Sequence, residues 1–196
     1  MTTSPQEYRR VVLELLPEQG DLREEDYLWL TDHARRSIEF ADGAIEVLPR
    51  PTRTDQLLLK FLLRLFEGII EPAGGLVLFA PLRLRLRAAK FREPDLLLLL
   101  DATDPRNGER YWTGADLVVE IVSPDDPARD LVEKRREYAI AGIPEYWIVN
   151  PLDHTVTVLA LDGDSYREHG RFTPGTTATS ALVPHVAVNV TKLFAS

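Results

Sequence analysis

A mixed α/β fold is predicted by a strand, a helix and a second strand that follow one another late in the chain. The run from Leu117 to Val122 is rich in β-branched residues and stops at Ser123-Pro124, which is typical of a strand buried on both faces. Residues 130–141 contain good helix formers before Gly142 and Pro144, and the apolar run 146–149 follows them. This order predicts two parallel strands with the helix packed across them.

The segments around this unit predict the other elements of the fold. Residues 5–16 and 24–34 have helical spacing, and residues 54–70 form the clearest helix, with Thr54 as its N-cap. Asp42-Gly43 lies between two short apolar runs, which predicts a β-hairpin. We therefore expect a mixed β-sheet flanked by helices, with N-terminal helices and a hairpin. Further strands are predicted over 76–80, 82–87, 96–100, 155–161 and 166–169, and 186–194 predicts a strand and a short helix.

Length and composition predict one domain over residues 1–196. The chain has no cysteine, which excludes thiolate metal sites and a cysteine nucleophile and favours a reducing compartment. The first ten residues lack the apolar core of a signal peptide, and the longest apolar runs are too short to cross a bilayer. We therefore expect a cytoplasmic protein that does not interact with membranes.

The net charge of −8 disfavours non-specific attraction to nucleic acid, which depends on Lys and Arg neutralising phosphates. A nucleic-acid site would have to be a local basic patch. One candidate is an alternating strip that could contact phosphates, or that could equally be an exposed strand face kept soluble by its charge. The strip consists of Arg83, Arg85, Arg87, Lys90 and Arg92.

Glu120 is the residue that most directly indicates chemistry, because it lies in the middle of an apolar run. A buried carboxylate without a partner costs several kcal/mol, so Glu120 needs a cation, a proton or a hydrogen-bond network. Asp95 begins another predicted strand, and adjacent strands could bring the two acids together. A divalent cation would relieve their repulsion, and oxygen ligands suit Mg²⁺ or Mn²⁺.

The predicted helix offers a cation for the same place. Its apolar stripe runs through Leu131 and Tyr138, and both Lys134 and Arg135 lie beside that stripe, so spacing alone does not choose between them. Purely structural interpretations also stay open. Glu120 could form an internal salt bridge with either cation, Pro94-Asp95 could be a turn, Lys134 could be solvated, and Glu39 could lie on the solvent face of the hairpin.

Several short motifs occur in an order that is similar to a known family. They are Ile38 to Gly43, Pro94-Asp95, Leu117 to Pro124, Asp130 with Lys134 and Tyr138, and Gly142 to Val149. This order resembles the Uma2 family, a branch of the PD-(D/E)XK nuclease superfamily with a restriction-endonuclease-like fold. The resemblance covers about residues 20–190.

The resemblance implies a metal site with named residues. Asp95, Glu120 and the main-chain carbonyl of Ile121 would bind Mg²⁺ or Mn²⁺, and Lys134 would lie near the scissile phosphate. Glu39 would complete the site. Two positions depart from the wider pattern. Val122 occupies the position of the superfamily's lysine, and Asp55 stands where many relatives have a histidine.

The resemblance also implies an activity, namely a metal-dependent endonuclease that hydrolyses DNA by an activated water. Two alternatives stay open. One is a catalytically inactive nucleic-acid- or protein-binding module of the same fold, and the other is a hydrolase of another phosphate ester. Endonucleases that cut both strands often work as pairs, so a homodimer is an expectation. Tyr146 and Trp147 could belong to the core or to an interface.

Overall fold

The computed structural model describes residues 18–196, so the helix predicted over 5–16 lies outside the described residues. The helices are α1 (Glu24–His33), α2 (Arg53–Ile70), α3 (Lys134–Ile140) and α4 (Val190–Phe194), with a 3₁₀ turn over Glu71–Ala73 and a π-helical turn over Arg129–Glu133. The strands are β1 (Ile38–Ala41), β2 (Ala44–Val47), β3 (Leu76–Phe79), β4 (Leu84–Arg87), β5 (Lys90–Arg92), β6 (Leu96–Leu99), β7 (Leu117–Ile121), β8 (Glu145–Asn150), β9 (Thr155–Asp162), β10 (Ser165–Phe172), β11 (Thr177–Thr179) and β12 (Ala187–Asn189).

A six-stranded sheet with the order β10-β9-β8-β7-β6-β3 forms the centre of the molecule. Strands β7 and β8 are parallel and the other neighbours are antiparallel, so the predicted strand-helix-strand unit is confirmed. Leu117 and Val119 of β7 pack in the core that includes α2 and α4, whereas Val118 packs on the opposite face with α3. Because strand side chains alternate, Glu120 shares the face of Val118 and points towards α3.

A second, antiparallel sheet has the order β2-β1-β5-β4 and is covered by α1. Tyr27 of α1 stacks on Phe40 of β1 at a centroid distance of 5.0 Å. The predicted hairpin is confirmed, with φ of 49° at Asp42 and 87° at Gly43, the left-handed values that its tight turn requires. Residues 93–95 lead directly from β5 into β6. The ends of the two sheets therefore meet at this connection.

The start of α2 differs from the prediction. The N-cap is Thr52 rather than Thr54, because the Thr52 hydroxyl oxygen accepts a hydrogen bond from the Asp55 amide at 3.2 Å. The Asp55 carboxylate in turn accepts one from the Thr52 amide at 2.7 Å. This reciprocal pair is a capping box, and it places the N-cap two residues earlier than predicted.

Other predicted details also change. Strand β7 ends at Ile121, so Glu120 is its next-to-last residue and not its midpoint. Leu131 is 37% exposed instead of belonging to a buried stripe, because the π-helical turn rotates the residues that follow it. Strands β5 and β11 were not predicted. Tyr146 and Trp147 are fully buried, so both belong to the core.

Within residues 18–196, no helix combines the length and the apolar character needed to cross a bilayer.

Candidate metal and catalytic site

The pairing of β6 with β7 places Asp95 and Glu120 side by side. Leu96 pairs with Val119 in antiparallel register. Asp95 precedes Leu96 and Glu120 follows Val119, so the two acids lie opposite each other on neighbouring strands. The Asp95 Oδ2 atom accepts a hydrogen bond from the Ile121 amide at 2.7 Å, which holds the carboxylate at the end of β7. Asp95, Glu120 and Ile121 all line one pocket with a volume of about 380 Å³.

Lys134 enters the same pocket from the helix between β7 and β8. Its Nζ atom lies 2.9 Å from Glu120 Oε1, 3.2 Å from Asp130 Oδ1 and 3.4 Å from Glu39 Oε1. The Lys134 side chain is buried. Arg135 instead donates a hydrogen bond to a main-chain carbonyl of β10. The structure therefore brings Lys134, and not Arg135, into contact with the carboxylates.

The π-helical turn sets the direction of these side chains. The Lys134 amide bonds to the carbonyl of Arg129, five residues earlier, which widens the turn before α3 begins. Asp130, Lys134 and Tyr138 are then buried on the side facing the sheet. The Tyr138 hydroxyl donates a hydrogen bond to Glu120 Oε1. Glu120 is thus fixed by an ammonium and a phenol from one helical segment.

Glu39 is a buried partner of cations and not a solvent-facing hairpin residue. Strand β1 pairs with β5 so that Glu39 lies opposite Arg92, and Arg92 donates a hydrogen bond to Glu39 Oε2 at 2.7 Å. The Glu93 amide donates to Glu39 Oε1 at 3.1 Å. Glu39 is fully buried and also contacts Lys134. It therefore joins the predicted site through the lysine.

The two acids predicted to bind metal resist ionisation. Burial raises the pKa of Glu120 to about 8 against the lowering effect of Lys134, and the charges of Asp130 and Asp95 add to the rise. Burial also raises the pKa of Asp95 to about 6, although the hydrogen bond from the Ile121 amide lowers it. In both carboxyl groups the effect of burial exceeds the lowering effect of Lys134 and of the neighbouring hydrogen bonds.

The pKa values of Glu39 and Lys134 are instead shifted in the direction that favours their charged forms. Burial alone would raise the pKa of Glu39, but Lys134 and Arg92 more than offset it and hold the pKa at about 2. Burial likewise opposes the charge of Lys134, yet Glu120, Glu39 and Asp130 raise its pKa above the usual range. The pair of Glu39 and Lys134 is therefore ionised at neutral pH.

The donor set of the pocket fits a Mg²⁺ ion. Within the described residues, no group of three or more Asp, Glu and His side chains is arranged to hold a metal. Mg²⁺ needs fewer, since proteins usually bind it through one or two carboxylates and leave it several waters. Asp95, Glu120 and the Ile121 carbonyl would supply three oxygen ligands. The buried Asp130 carboxylate, whose Oδ1 atom forms an ion pair with Lys134, adds to the negative charge around them.

Asp130, Tyr138 and Arg92 contact the predicted site residues, although no role in the site was predicted for them from the sequence. The sequence does contain a signal for Asp130 and Tyr138. Both lie four residues from Lys134, which places all three on one helical face. Arg92 was grouped with the basic strip. Asp55 also lines the pocket.

The whole basic strip is engaged in salt bridges within the chain. Each of its five members lies close to a carboxylate of another element. The pairs are Arg83 with Asp32, Arg85 with Glu24, Arg87 with Asp42, Lys90 with Glu137, and Arg92 with Glu39 and Glu137. The strip therefore ties the second sheet to α1 and α3, and its charge is largely neutralised internally.

The fold is similar to that of a solved protein structure. A crystal structure of a "putative nuclease belonging to DUF820" from Anabaena variabilis ATCC 29413 superimposes with a TM-score of 0.68 and 17% sequence identity, covering 86% of this chain and 97% of that one. Residues 24–191 match the Uma2 family, described as "Putative restriction endonuclease". The chain belongs to the Uma2 family, and the predicted fold is confirmed. Curated proteins gave no match.

Proposed function

We propose that this protein is a Mg²⁺- or Mn²⁺-dependent endonuclease that hydrolyses DNA phosphodiester bonds. The observation that carries the proposal is the meeting of Asp95 and Glu120, 25 residues apart in sequence, at one end of β6 and β7, with the Lys134 ammonium beside Glu120. Membership of the Uma2 family supports the same class of activity.

Each residue of the pocket has a physical role in this proposal. Asp95, Glu120 and the Ile121 carbonyl would hold the ion, which when bound supplies a Lewis acid that lowers the pKa of an attacking water. Lys134 is protonated and cannot act as a general base. Its ammonium stabilises the negative charge that develops on the phosphoryl oxygens during attack.

Two further residues position these groups. The Tyr138 hydroxyl fixes the orientation of Glu120, and Glu39 holds Lys134 against the pocket floor. Partners of this kind usually change metal affinity or activity by about 10–100-fold when they are removed. Tyr138→Phe should therefore slow the reaction without abolishing it, whereas loss of either metal-binding acid should remove activity.

The direct test is cleavage of supercoiled plasmid DNA in the presence of Mn²⁺. The wild type should nick and linearise the plasmid, and a chelator should stop the reaction. Lys134→Met should lower the rate by about 10²–10³-fold, the usual cost of losing a group that stabilises transition-state charge. Arg136→Met removes an exposed positive charge from the same helix and serves as the matched control. Cleavage that persists with chelator, or at full rate in Lys134→Met, would contradict the proposed mechanism.

A further inference from the structure

The proposed reacting groups lie at the bottom of a pocket and not on an open surface. Glu120 is 3% exposed and Lys134 is 2% exposed. The pocket volume of about 380 Å³ lies in the range of pockets that enclose small molecules, which is about 300–1,000 Å³. A phosphodiester must therefore descend into the pocket together with its neighbouring sugar and base.

Prolines make up half of the exposed residues that line this pocket, and these exposed residues form its rim; the other rim residues are Arg50, Thr52, Gln56 and Asp125. Proline fixes its own φ angle, so a rim rich in proline has little freedom to widen around a large ligand. The prolines present apolar surface to the pocket, and Leu48 and Leu59 also line it. The exposed prolines of the rim are Pro49, Pro51, Pro81 and Pro124.

The charge pattern around the pocket does not suit a DNA duplex. Duplex binding depends on a track of Lys and Arg that neutralises many phosphates. The basic strip is occupied by internal salt bridges, as described above, and the chain carries a net charge of −8. Arg50 is an exposed rim residue that takes part in no salt bridge within residues 18–196. One rim arginine can contact one phosphate of a flexible strand.

From these observations we infer that the substrate is an unpaired DNA strand. One nucleotide enters the pocket, with its phosphate at Asp95, Glu120 and Lys134 and its base against the proline rim, while Arg50 contacts a neighbouring phosphate. A paired strand would first have to unpair and unstack, which costs free energy and slows the reaction. This inference rests on the function proposed above and specifies its substrate class.

The test compares one labelled oligodeoxynucleotide in three forms with Mn²⁺: single-stranded, fully paired, and paired except for a central unpaired stretch. The single strand should be cut about tenfold faster than the duplex, or more, because the duplex pays for unpairing. Cuts in the third substrate should fall within its unpaired stretch. Fluorescence anisotropy with Ca²⁺ in place of Mn²⁺ measures the affinity of the single-stranded and fully paired oligonucleotides without relying on cleavage.

A pair of arginine variants tests the path of the strand. Arg50→Ala should weaken binding of the single strand and reduce the salt dependence of its affinity by about one phosphate contact. Arg53→Ala is the matched control, because Arg53 is also exposed but begins α2 outside the pocket. Equal effects of the two variants would contradict the assignment of Arg50.

The outcomes separate this inference from the function on which it rests. Rapid cutting of the duplex, at the rate of the single strand or above, would overturn the inference while supporting the nuclease activity. Absence of cleavage in all three forms would overturn the proposed function. In that case anisotropy still decides the inference, since tighter binding of the single strand than of the duplex supports it and equal or weaker binding overturns it.

Discussion

Replacing Lys134 by methionine tests the electrostatic balance of the pocket. The ammonium contacts Glu120 at 2.9 Å, Asp130 at 3.2 Å and Glu39 at 3.4 Å, and the side chain is buried. Methionine keeps most of the volume and removes the charge. Removing one partner from a buried ion pair typically costs about 3–5 kcal/mol, because the remaining charge stays buried without compensation.

This loss of folding free energy should lower the midpoint of thermal unfolding by a readily measured amount. For a domain of this size each kcal/mol lowers the midpoint by about 2–4 °C, so Lys134→Met should unfold about 6–20 °C below the wild type. Mg²⁺ should stabilise the variant more than the wild type, since no ammonium then competes for the carboxylates. A ligand at a hundred times its dissociation constant adds about 2.7 kcal/mol, which is enough to be measured.

Circular dichroism melts with and without Mg²⁺, for Lys134→Met, Arg136→Met and the wild type, provide the assay. Arg136→Met should melt close to the wild type, because its side chain is exposed. A Lys134→Met protein as stable as the wild type would show that the buried carboxylates do not depend on this ammonium. An unchanged response to Mg²⁺ would show that the ion does not bind beside it.

Two further predictions concern Glu39 and the start of α2. The pKa of Glu39 is lowered from 4.5 to about 2, so its ionised form stabilises the fold above pH 4.5 and this contribution is lost as pH falls towards 2. In urea unfolding the stability difference between wild type and Glu39→Gln should narrow by about 3 kcal/mol from pH 6 to pH 2, whereas a constant difference would refute the shift. Thr52→Ala should lower the free energy of unfolding by about 1 kcal/mol through loss of the N-cap, while Thr54→Ala should leave it nearly unchanged. A larger loss in Thr54→Ala than in Thr52→Ala would show that Thr54 is the N-cap.

The sequence was most informative where a polar residue interrupts an apolar run. Glu120 was recognised as a buried carboxylate because β7 has no polar alternation, and the structure places it 3% exposed. Asp95 followed from its position before β6. The antiparallel register that brings the two acids together could not be derived from the sequence, because strand order in a sheet is a tertiary property.

Helical spacing in the sequence predicted burial wrongly where the backbone departs from the regular α-helix. The π-helical turn over Arg129–Glu133 leaves Leu131 37% exposed, although a regular helical wheel places it on the apolar stripe. Glu39 was equally hard to assign, since a glutamate in a hairpin is usually solvated. Its burial depends on Arg92 in a strand that was not predicted. Partners supplied by other elements therefore decide the role of such residues.

Electron paramagnetic resonance of Mn²⁺ tests most directly the proposal that Asp95 and Glu120 hold one divalent ion. Titration of the wild type should show one bound Mn²⁺ per chain, and Mg²⁺ should displace it. Asp95→Asn and Glu120→Gln should each abolish this binding, whereas Glu168→Gln, an exposed glutamate on β10, should bind as the wild type does. Wild-type protein that binds no Mn²⁺, or binding that persists in both acid variants, would contradict the account.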